Sequence, residues 1–277
     1  MKVSTKYSLK SKCPRRLWKA LVAFYRFLLR IKYRIIMLTQ PKKMKYYCPC
    51  CGFKLKSFTE GEYRQRPDFY DAKLFEDIKQ DIECPVCGAL PRHRILASWC
   101  GANVNELTSK DILYFAPERS MTRWLRKHKI SFTTADLYDP DTDLKLDIQA
   151  TGLFDNTYDV VICNHVLEHV DDYMKALREL KRIIRPGGIL ICSFPVSPDI
   201  DLVIEDPEVK TEEERLRRYG QSDHVRLFGT NADQFIREAG FDVSFIDGKD
   251  YPDDIIPITG PGLYDINRLY LCRNPED

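Results

Sequence analysis

Residues 158–170, YDVVICNHVLEHV, join a short apolar run to a group of polar side chains. The run at 158–163 has the apolar, β-branched character of a buried parallel strand. Four polar residues follow at its carboxyl end: Asn164, His165, Glu168 and His169. Since ligands of open α/β sheets bind beyond the carboxyl ends of the strands, this stretch predicts the floor of a ligand pocket.

The chain around this stretch alternates strand and helix patterns. Further strands are predicted at 111–115, 131–135, 144–146, 189–194, 243–246 and 269–272. Helices are predicted at 121–129, 171–185 and 232–239, the second ended by Pro186, Gly187 and Gly188. This order predicts an α/β fold with a doubly wound, mostly parallel Rossmann-like sheet. The connection at 196–230 is too long for a plain loop and is expected to form a cap over the pocket.

Charge divides the chain unevenly. Of the 43 Lys and Arg residues, 14 lie in residues 1–46, which contain no acid, so the remainder carries 29 basic against 41 acidic residues, a net charge of −12. With 277 residues, the chain suits one α/β unit with accessory segments. We predict a basic arm at 1–46, a cysteine module at 47–100 and the α/β domain at 101–277.

The arm has the pattern of a basic amphipathic helix. Its basic face holds Arg15, Arg16, Lys19, Arg26, Arg30 and Arg34, and its apolar face Trp18, Leu21, Phe24, Tyr25, Leu28, Ile31, Ile35 and Ile36. Charges interrupt the apolar residues too often for a bilayer-spanning helix or a cleaved signal peptide. The possible partners of the arm are an anionic membrane surface, the protein's own body and a nucleic acid. We expect a cytoplasmic protein that is peripheral on the inner face of the membrane.

Two copies of a Cys-Pro-x-Cys-Gly motif lie between the arm and the α/β pattern. They are Cys48-Pro49-Cys50-Cys51-Gly52 and Cys84-Pro85-Val86-Cys87-Gly88. The spacing lets both thiolates of a motif reach one ion, and the glycine permits the unusual backbone of the turn. We predict a closed, structural zinc site with the ligands Cys48, Cys51, Cys84 and Cys87, and Cys50 as a spare thiol.

A cationic cluster follows the second motif: Arg92, His93 and Arg94. It suits a phosphate or carboxylate of a substrate, because arginine makes two-pronged contacts to such groups. The alternative is an ordinary helix start, since Pro91 is favoured in a first helical turn.

Several segments of the α/β region resemble class I S-adenosylmethionine-dependent methyltransferases of the type 11 group. They read LYFAPERSM, TADLY, LDI and DVVICNHVLEHVDDYMKALRELKRIIRPGGILICSFP, and the resemblance covers residues 110–275. The flanking CPVCGALPRHR, GQSDHVRLFG and AGFDV are similar to a bacterial subgroup with zinc knuckles. The resemblance implies a methyltransferase with S-adenosyl-L-methionine as cofactor.

The resemblance also implies roles for single residues. Asp136 matches the acid that accepts hydrogen bonds from the ribose hydroxyls, and Asp147 with Ile148 matches the adenine site. Asn164 and His165 match the segment beside the methionine part, with Glu168 and His169 bracing that turn. The predicted cofactor-binding set is Phe115, Ala116, Glu118, Asp136, Leu137, Asp147, Ile148, Asn164 and His165.

The first motif departs from the family pattern. Tyr114 occupies the position of the usual acid, and Ala116, Pro117 and Glu118 replace the usual glycines. We hypothesise that Glu118 supplies the acid that holds the methionine ammonium. The alternative is an ordinary acid in the first turn of the next helix.

Methyl transfer is an in-line displacement that needs alignment and, for a hydroxyl or protonated nitrogen, a general base. The candidate bases are His165 and His224, with Asp223 orienting His224 and Arg226 holding an anionic group of the substrate. We expect a small-molecule or glycan acceptor, and the arm suggests the membrane face as the place where it is reached. An RNA methyltransferase that binds RNA through the zinc module and arm, and a non-catalytic binding protein of the same fold, are the alternatives.

Overall fold

The computed structural model describes residues 14–59, 83–197, 200–256 and 268–276. The predictions for residues 1–13 of the arm, and for the side chains of Arg15, Arg16, Trp18 and Lys19, lie outside this description. The strands are β1 (Tyr46–Cys48), β2 (Phe53–Leu55), β3 (Ile112–Phe115), β4 (Thr133–Asp136), β5 (Leu144–Lys145), β6 (Tyr158–Asn164), β7 (Ile184–Ser193), β8 (Val203–Glu205), β9 (Arg226–Phe228), β10 (Asp242–Ile246) and β11 (Leu269–Arg273). The α-helices are α1 (Arg15–Thr39), α2 (Pro91–Ala102), α3 (Val104–Leu107), α4 (Arg119–Lys127), α5 (Tyr173–Ile183), α6 (Glu212–Tyr219) and α7 (Asp233–Glu238).

Seven strands form the central sheet in the order β10-β11-β7-β6-β3-β4-β5. Strands β3 to β7 are parallel, and β11 pairs antiparallel with both β7 and β10. This confirms the predicted doubly wound, mostly parallel sheet. The chain runs from β3 outward to β4 and β5, then returns to β6 on the other side of β3. The carboxyl ends of β3 and β6 therefore flank the switch point where such sheets bind ligands.

Both faces of the sheet are covered, because alternate residues of the central strands enter different cores. Leu113, Val161 and Cys163 pack with buried side chains of α5 and α7. Ile112 and Ile162 pack on the opposite face with α2, α4 and the cysteine motifs. The cysteine module therefore shares a core with the sheet.

The Pro-Gly-Gly turn is part of β7, which corrects the predicted helix end. Helix α5 ends at Ile183, and β7 begins at once with a register shift opposite Tyr158 and Val160. Gly187 has a φ of +75°. A Cβ on Gly188 would lie 2.8 Å from the carbonyl oxygens of Arg185 and Asp159. The glycines thus permit an irregular strand in which the backbones approach closely.

Helix α1 confirms the predicted helical arm within the described residues. Arg26 pairs with Glu83 at 3.2 Å, and Tyr33 packs against the core beside the cysteine motifs. Much of the predicted apolar face is nevertheless exposed, including Phe24 at 60% and Ile35 at 54%. The described helices include none with the length and apolar character that crossing a bilayer requires.

The long connection after β7 forms a small substructure. Strands β8 and β9 pair antiparallel, and α6 lies between them in sequence. Ile200, Tyr219 and Leu227 make its separate apolar core.

Candidate active site

A cavity of about 550 Å³ opens at the carboxyl ends of β3, β4 and β6. Seven residues predicted to bind the cofactor line it: Phe115, Ala116, Asp136, Leu137, Asp147, Ile148 and His165. Glu118 and Asn164 are not in the lining. Asn164 is buried, and its Oδ1 accepts a hydrogen bond from the Ser193 hydroxyl at 3.0 Å.

Two acids of the lining are fixed by their own turns. Oδ1 of Asp136 accepts hydrogen bonds from the N–H groups of Tyr138 and Asp139, both at 2.7 Å. Oδ1 of Asp147 accepts from the N–H of Gln149 at 2.9 Å. Within the described part of the chain, Oδ2 of neither acid is engaged in a hydrogen bond. Each turn therefore holds a carboxylate in place with one oxygen left to accept from a ligand.

Two non-glycine residues at this edge have a left-handed backbone, Ala116 with a φ of +45° and His165 with a φ of +53°. The N–H of Ala116 donates to Ala135 at 2.9 Å, and that of His165 donates to Ser193 at 2.7 Å. Each turn is thus tied to the neighbouring strand. This left-handed backbone costs alanine about 1 kcal/mol, whereas glycine adopts it without that cost.

Four side chains converge beside the cavity: His165, Glu168, His169 and His224. Glu168 is 1% exposed, and its Oε1 lies 3.2 Å from Nδ1 of His165. Burial holds the pKa of His165 well below its usual value and lowers the pKa of His224 to about 4. Both imidazoles are therefore neutral at pH 7.

The structure corrects the expected partner of Asp223. Its Oδ2 lies 3.5 Å from Nδ1 of His169, whereas Nδ1 of His224 donates to the carbonyl of Tyr219 at 3.2 Å. His224 is buried and does not line the cavity, although Asp223 does.

Arg226 is fully buried, which corrects its expected contact with a substrate. Its guanidinium donates to the carbonyls of Leu167, Val170 and Asp171, and pairs with Glu205 at 2.9 Å. These contacts clamp the loop between β6 and α5, which carries Glu168 and His169.

The predicted Arg-His-Arg cluster is divided between two environments. The guanidinium of Arg94 stacks 3.9 Å from the Phe58 ring centroid and donates to the carbonyls of Ala89 and Ile255. Arg94 therefore stabilises the module instead of meeting a ligand. The start of α2 at Pro91 confirms the predicted helix.

Arg92 and His93 turn to Glu118 instead. Nδ1 of His93 accepts from the N–H of Leu90, so Nε2 carries the proton and donates to Oε1 of Glu118 at 2.5 Å. Nε of Arg92 donates to the same oxygen at 3.0 Å, and the Tyr114 hydroxyl donates to Oε2 at 3.3 Å. Burial opposes ionisation, but the hydrogen bond from His93 and the charge of Arg92 hold the pKa of Glu118 well below its usual range. The contact of Glu118 with the cofactor stays a prediction.

The two cysteine motifs meet as the spacing predicts. The ligand atoms of Cys48, Cys51, Cys84 and Cys87 all lie within 4.8 Å of one another. The Sγ atoms are 3.7 Å apart between Cys48 and Cys87 and 3.8 Å apart between Cys51 and Cys84. Tetrahedral zinc with bonds of about 2.3 Å requires sulfur separations of roughly 3.8 Å, so the four thiols fit this ion. Cys50 points away, toward the carbonyl of His93 at 3.2 Å.

A family model described as a methyltransferase domain matches residues 108–192, which include β3 to β6 and most of β7. The chain carries a methyltransferase domain. The match and the sheet confirm the predicted family and place Asp136, Asp147 and His165 inside the methyltransferase domain. The zinc-knuckle subgroup stays a prediction.

Three proteins illustrate the similarity of the methyltransferase domain. An uncharacterized methyltransferase of Schizosaccharomyces pombe is 34% identical over 94 residues, which are 33% of this chain and 32% of that protein. A demethylmenaquinone methyltransferase of Staphylococcus epidermidis is 38% identical over 48 residues, 17% of this chain and 20% of the relative. The chain thus spans a third or less of the length of these two relatives. The 1,6-didemethyltoxoflavin-N1-methyltransferase structure from Burkholderia thailandensis, which holds S-adenosylhomocysteine, has a TM-score of 0.42 at 13% identity over 67% of this chain and 79% of that one.

The sequence prediction missed part of the lining of the cavity. The additional lining residues are Tyr138, Leu146, Gln149, Val166, His169, Val170 and Asp171. Most of them directly follow the predicted strand ends, and this position is the signal that identifies them. Asp223, from the long connection, was predicted as a site residue and does line the cavity.

Proposed function

We propose that the protein transfers a methyl group from S-adenosylmethionine to a small-molecule or glycan acceptor. The observation that carries this proposal is the cavity at the switch point, lined by Asp136, Asp147 and His165 inside the matched domain. An acid at the tip of β4 suits the ribose hydroxyls, because a carboxylate only accepts hydrogen bonds. Asp147 and Ile148 then hold the adenine, and the turns at Ala116 and His165 lie beside the methionine part.

The cofactor supplies a methyl group activated by a sulfonium, so the protein must chiefly align an acceptor with it. His165 is the favoured base, because it lines the cavity whereas His224 does not. With Nδ1 directed at Glu168, its Nε2 is left to accept a proton from the acceptor.

We further propose that the cysteine module holds a structural zinc ion. The four Sγ atoms have the separations of a tetrahedral thiolate site, which uses all four positions for protein ligands. Zinc there would stabilise the contact between the module and the sheet. It would take no part in methyl transfer.

A membrane surface is the proposed partner of the arm. On α1, the apolar side chains of Leu21, Phe24, Tyr25, Leu28, Ile31 and Ile35 are exposed. Cosedimentation with anionic liposomes would compare the full chain with the double variant Phe24→Ser/Leu28→Ser. A second double variant, Lys42→Ser/Lys43→Ser, would show how much of the binding depends on charge and how much on apolar contact. Loss of binding in the first variant supports insertion into the interface. Binding of RNA in gel shifts, with no liposome binding, would favour the RNA methyltransferase.

Incubation with methyl-labelled S-adenosylmethionine and fractionated cell extract tests the activity. The expected result is that the wild type labels one small-molecule or glycan fraction and that Asp136→Asn does not label it. Asp242→Asn, an exposed acid on β10 remote from the cavity, is the control. If the cofactor binds and no fraction is labelled above the Asp136→Asn background, the protein is the non-catalytic alternative.

A further inference from the structure

Glu168, His169 and His224 place one carboxylate and two imidazoles at the edge of the cavity. Their ligand atoms all lie within 4.8 Å of one another. Two imidazoles with one carboxylate are a common donor set for divalent transition metals. We propose that these three residues bind a divalent transition-metal ion, at a second metal site distinct from the four cysteines.

Both histidines are oriented as metal ligands are. Nδ1 of His169 donates to the carbonyl of Asp223 at 3.1 Å, and Nδ1 of His224 donates to that of Tyr219 at 3.2 Å. A carbonyl can only accept, so Nδ1 of each ring donates this bond and Nε2 is the nitrogen that can coordinate an ion. Nε2 of His169 already lies 3.9 Å from Oε1 of Glu168. Such backbone contacts commonly fix the tautomer of histidine ligands.

The protein also holds the two ligand segments together before any ion binds. The N–H of Val225 donates to the backbone carbonyl of Glu168 at 3.0 Å. The guanidinium of Arg226 bonds to the carbonyls of Leu167 and Asp171, on either side of Glu168 and His169. Residues far apart in sequence are therefore fixed at contact distance, and ion binding requires little rearrangement.

The donor set also separates this site from the cysteine site. Thiolates select zinc, whereas imidazole with carboxylate accepts manganese, iron, cobalt or zinc. Three protein ligands leave coordination positions open. His169 lines the cavity, so water or an oxygen-bearing ligand in the cavity can fill them.

Manganese binding to the full chain, with the cysteine site first loaded with zinc, tests the proposal. Electron paramagnetic resonance reports free Mn²⁺, whose signal falls as the ion binds. The expected result is one bound Mn²⁺ per chain, with affinity at least about 100-fold weaker in His169→Gln, Glu168→Gln and His224→Gln. His128→Gln, which changes a histidine stacked on Trp124 outside the cluster, should bind as the wild type does.

His169→Gln is the decisive variant, because this side chain is 32% exposed and its replacement should not unfold the protein. Zinc content and circular dichroism of the same samples verify folding. Absence of Mn²⁺ binding in the wild type, or unchanged affinity in folded His169→Gln, would overturn the proposal. The measurement uses no methyl acceptor, so its outcome is separate from that of the proposed function.

Discussion

Nδ1 of His165 lies 3.2 Å from Oε1 of Glu168, three residues further along the chain. His165 has a left-handed backbone and lines the cavity, and Glu168 is buried behind it. A buried carboxylate therefore lies beside an imidazole that a left-handed turn presents to the cavity. The stretch that predicted the pocket floor thus supplies both the side chain at the cavity and the buried carboxylate beside it.

Replacement of Arg226 by Met should release the loop that carries this pair. The buried guanidinium bonds to three backbone carbonyls, which would lose their donors. We expect the free energy of unfolding to fall by roughly 3 kcal/mol. Hydrogen exchange should rise most at residues 167–171. Arg237→Met, which removes a partly exposed arginine of α7, should cost about 1 kcal/mol or less in urea denaturation. If Arg226→Met and Arg237→Met lose the same free energy of unfolding, Arg226 does not hold this loop in place.

Comparison of Cys48→Ser with Cys50→Ser distinguishes a predicted metal ligand from a nearby cysteine that is not one. Cys48 is one of the four clustered thiols, whereas Cys50 turns to the carbonyl of His93. The wild type and Cys50→Ser should each contain one zinc ion per chain, and Cys48→Ser should lose it. Elemental analysis of the purified proteins measures this. Zinc loss in Cys50→Ser with retention in Cys48→Ser would reverse the assignment.

Ionisation of Glu179, near the predicted adenine site, should make the free energy of unfolding depend on pH. It accepts hydrogen bonds from the N–H and hydroxyl of Thr151 and from Arg182. Chiefly through Arg182, these bonds lower the pKa of Glu179 from about 4.5 to about 2. The ionised group therefore adds stability above pH 4.5, and this contribution is lost as the pH falls toward 2.

Glu179→Gln should accordingly be less stable than the wild type by about 1–2 kcal/mol at pH 7, because Arg182 is partly exposed and solvent screens the pair. The difference should shrink between pH 4.5 and 2. Urea denaturation across this range is the measurement, with Glu213→Gln on the exposed side of α6 as control. If the stability difference between the wild type and Glu179→Gln does not change with pH, the ionised carboxylate of Glu179 is not its source.

Glu118→Gln distinguishes a cofactor contact from a structural acid. If the carboxylate holds the methionine ammonium, its loss should weaken cofactor affinity about tenfold or more. Tyr114→Phe removes only the neighbouring hydroxyl and should change affinity less. Calorimetry gives the affinities, and thermal unfolding gives the stabilities. Lower stability with unchanged affinity would leave Glu118 as a partner of Arg92 and His93 alone.

The sheet and much of the cavity could be predicted from local patterns. Apolar runs that end at Asp136, Asp147 and His165 mark both the strands and the residues at their carboxyl ends, because parallel strands end at one edge. The cysteine site was predictable for a similar reason, since each two-residue spacer brings its own pair of thiols together. These features depend on residues close in sequence.

Contacts between distant segments could not be predicted in this way. Arg226 resembles a surface cation in the sequence, and only the fold brings it beneath the β6–α5 loop. Arg92 and His93 likewise meet Glu118 across 25 or more positions. The Pro-Gly-Gly sequence carries a strong local signal for a turn, but Ile184 and Ile189 on either side of it both pair with β6, so that it lies within β7 as an irregularity. Tertiary pairing outweighs local preference there.

Calorimetric titration with S-adenosylmethionine tests the central claim most directly. One binding site per chain is predicted for the wild type and for Asp242→Asn. In Asp136→Asn, where the ribose would lose its charged acceptor, affinity should fall about tenfold or more. Failure of the folded wild type to bind, or equal affinity in Asp136→Asn, would contradict the assignment of this cavity to the cofactor.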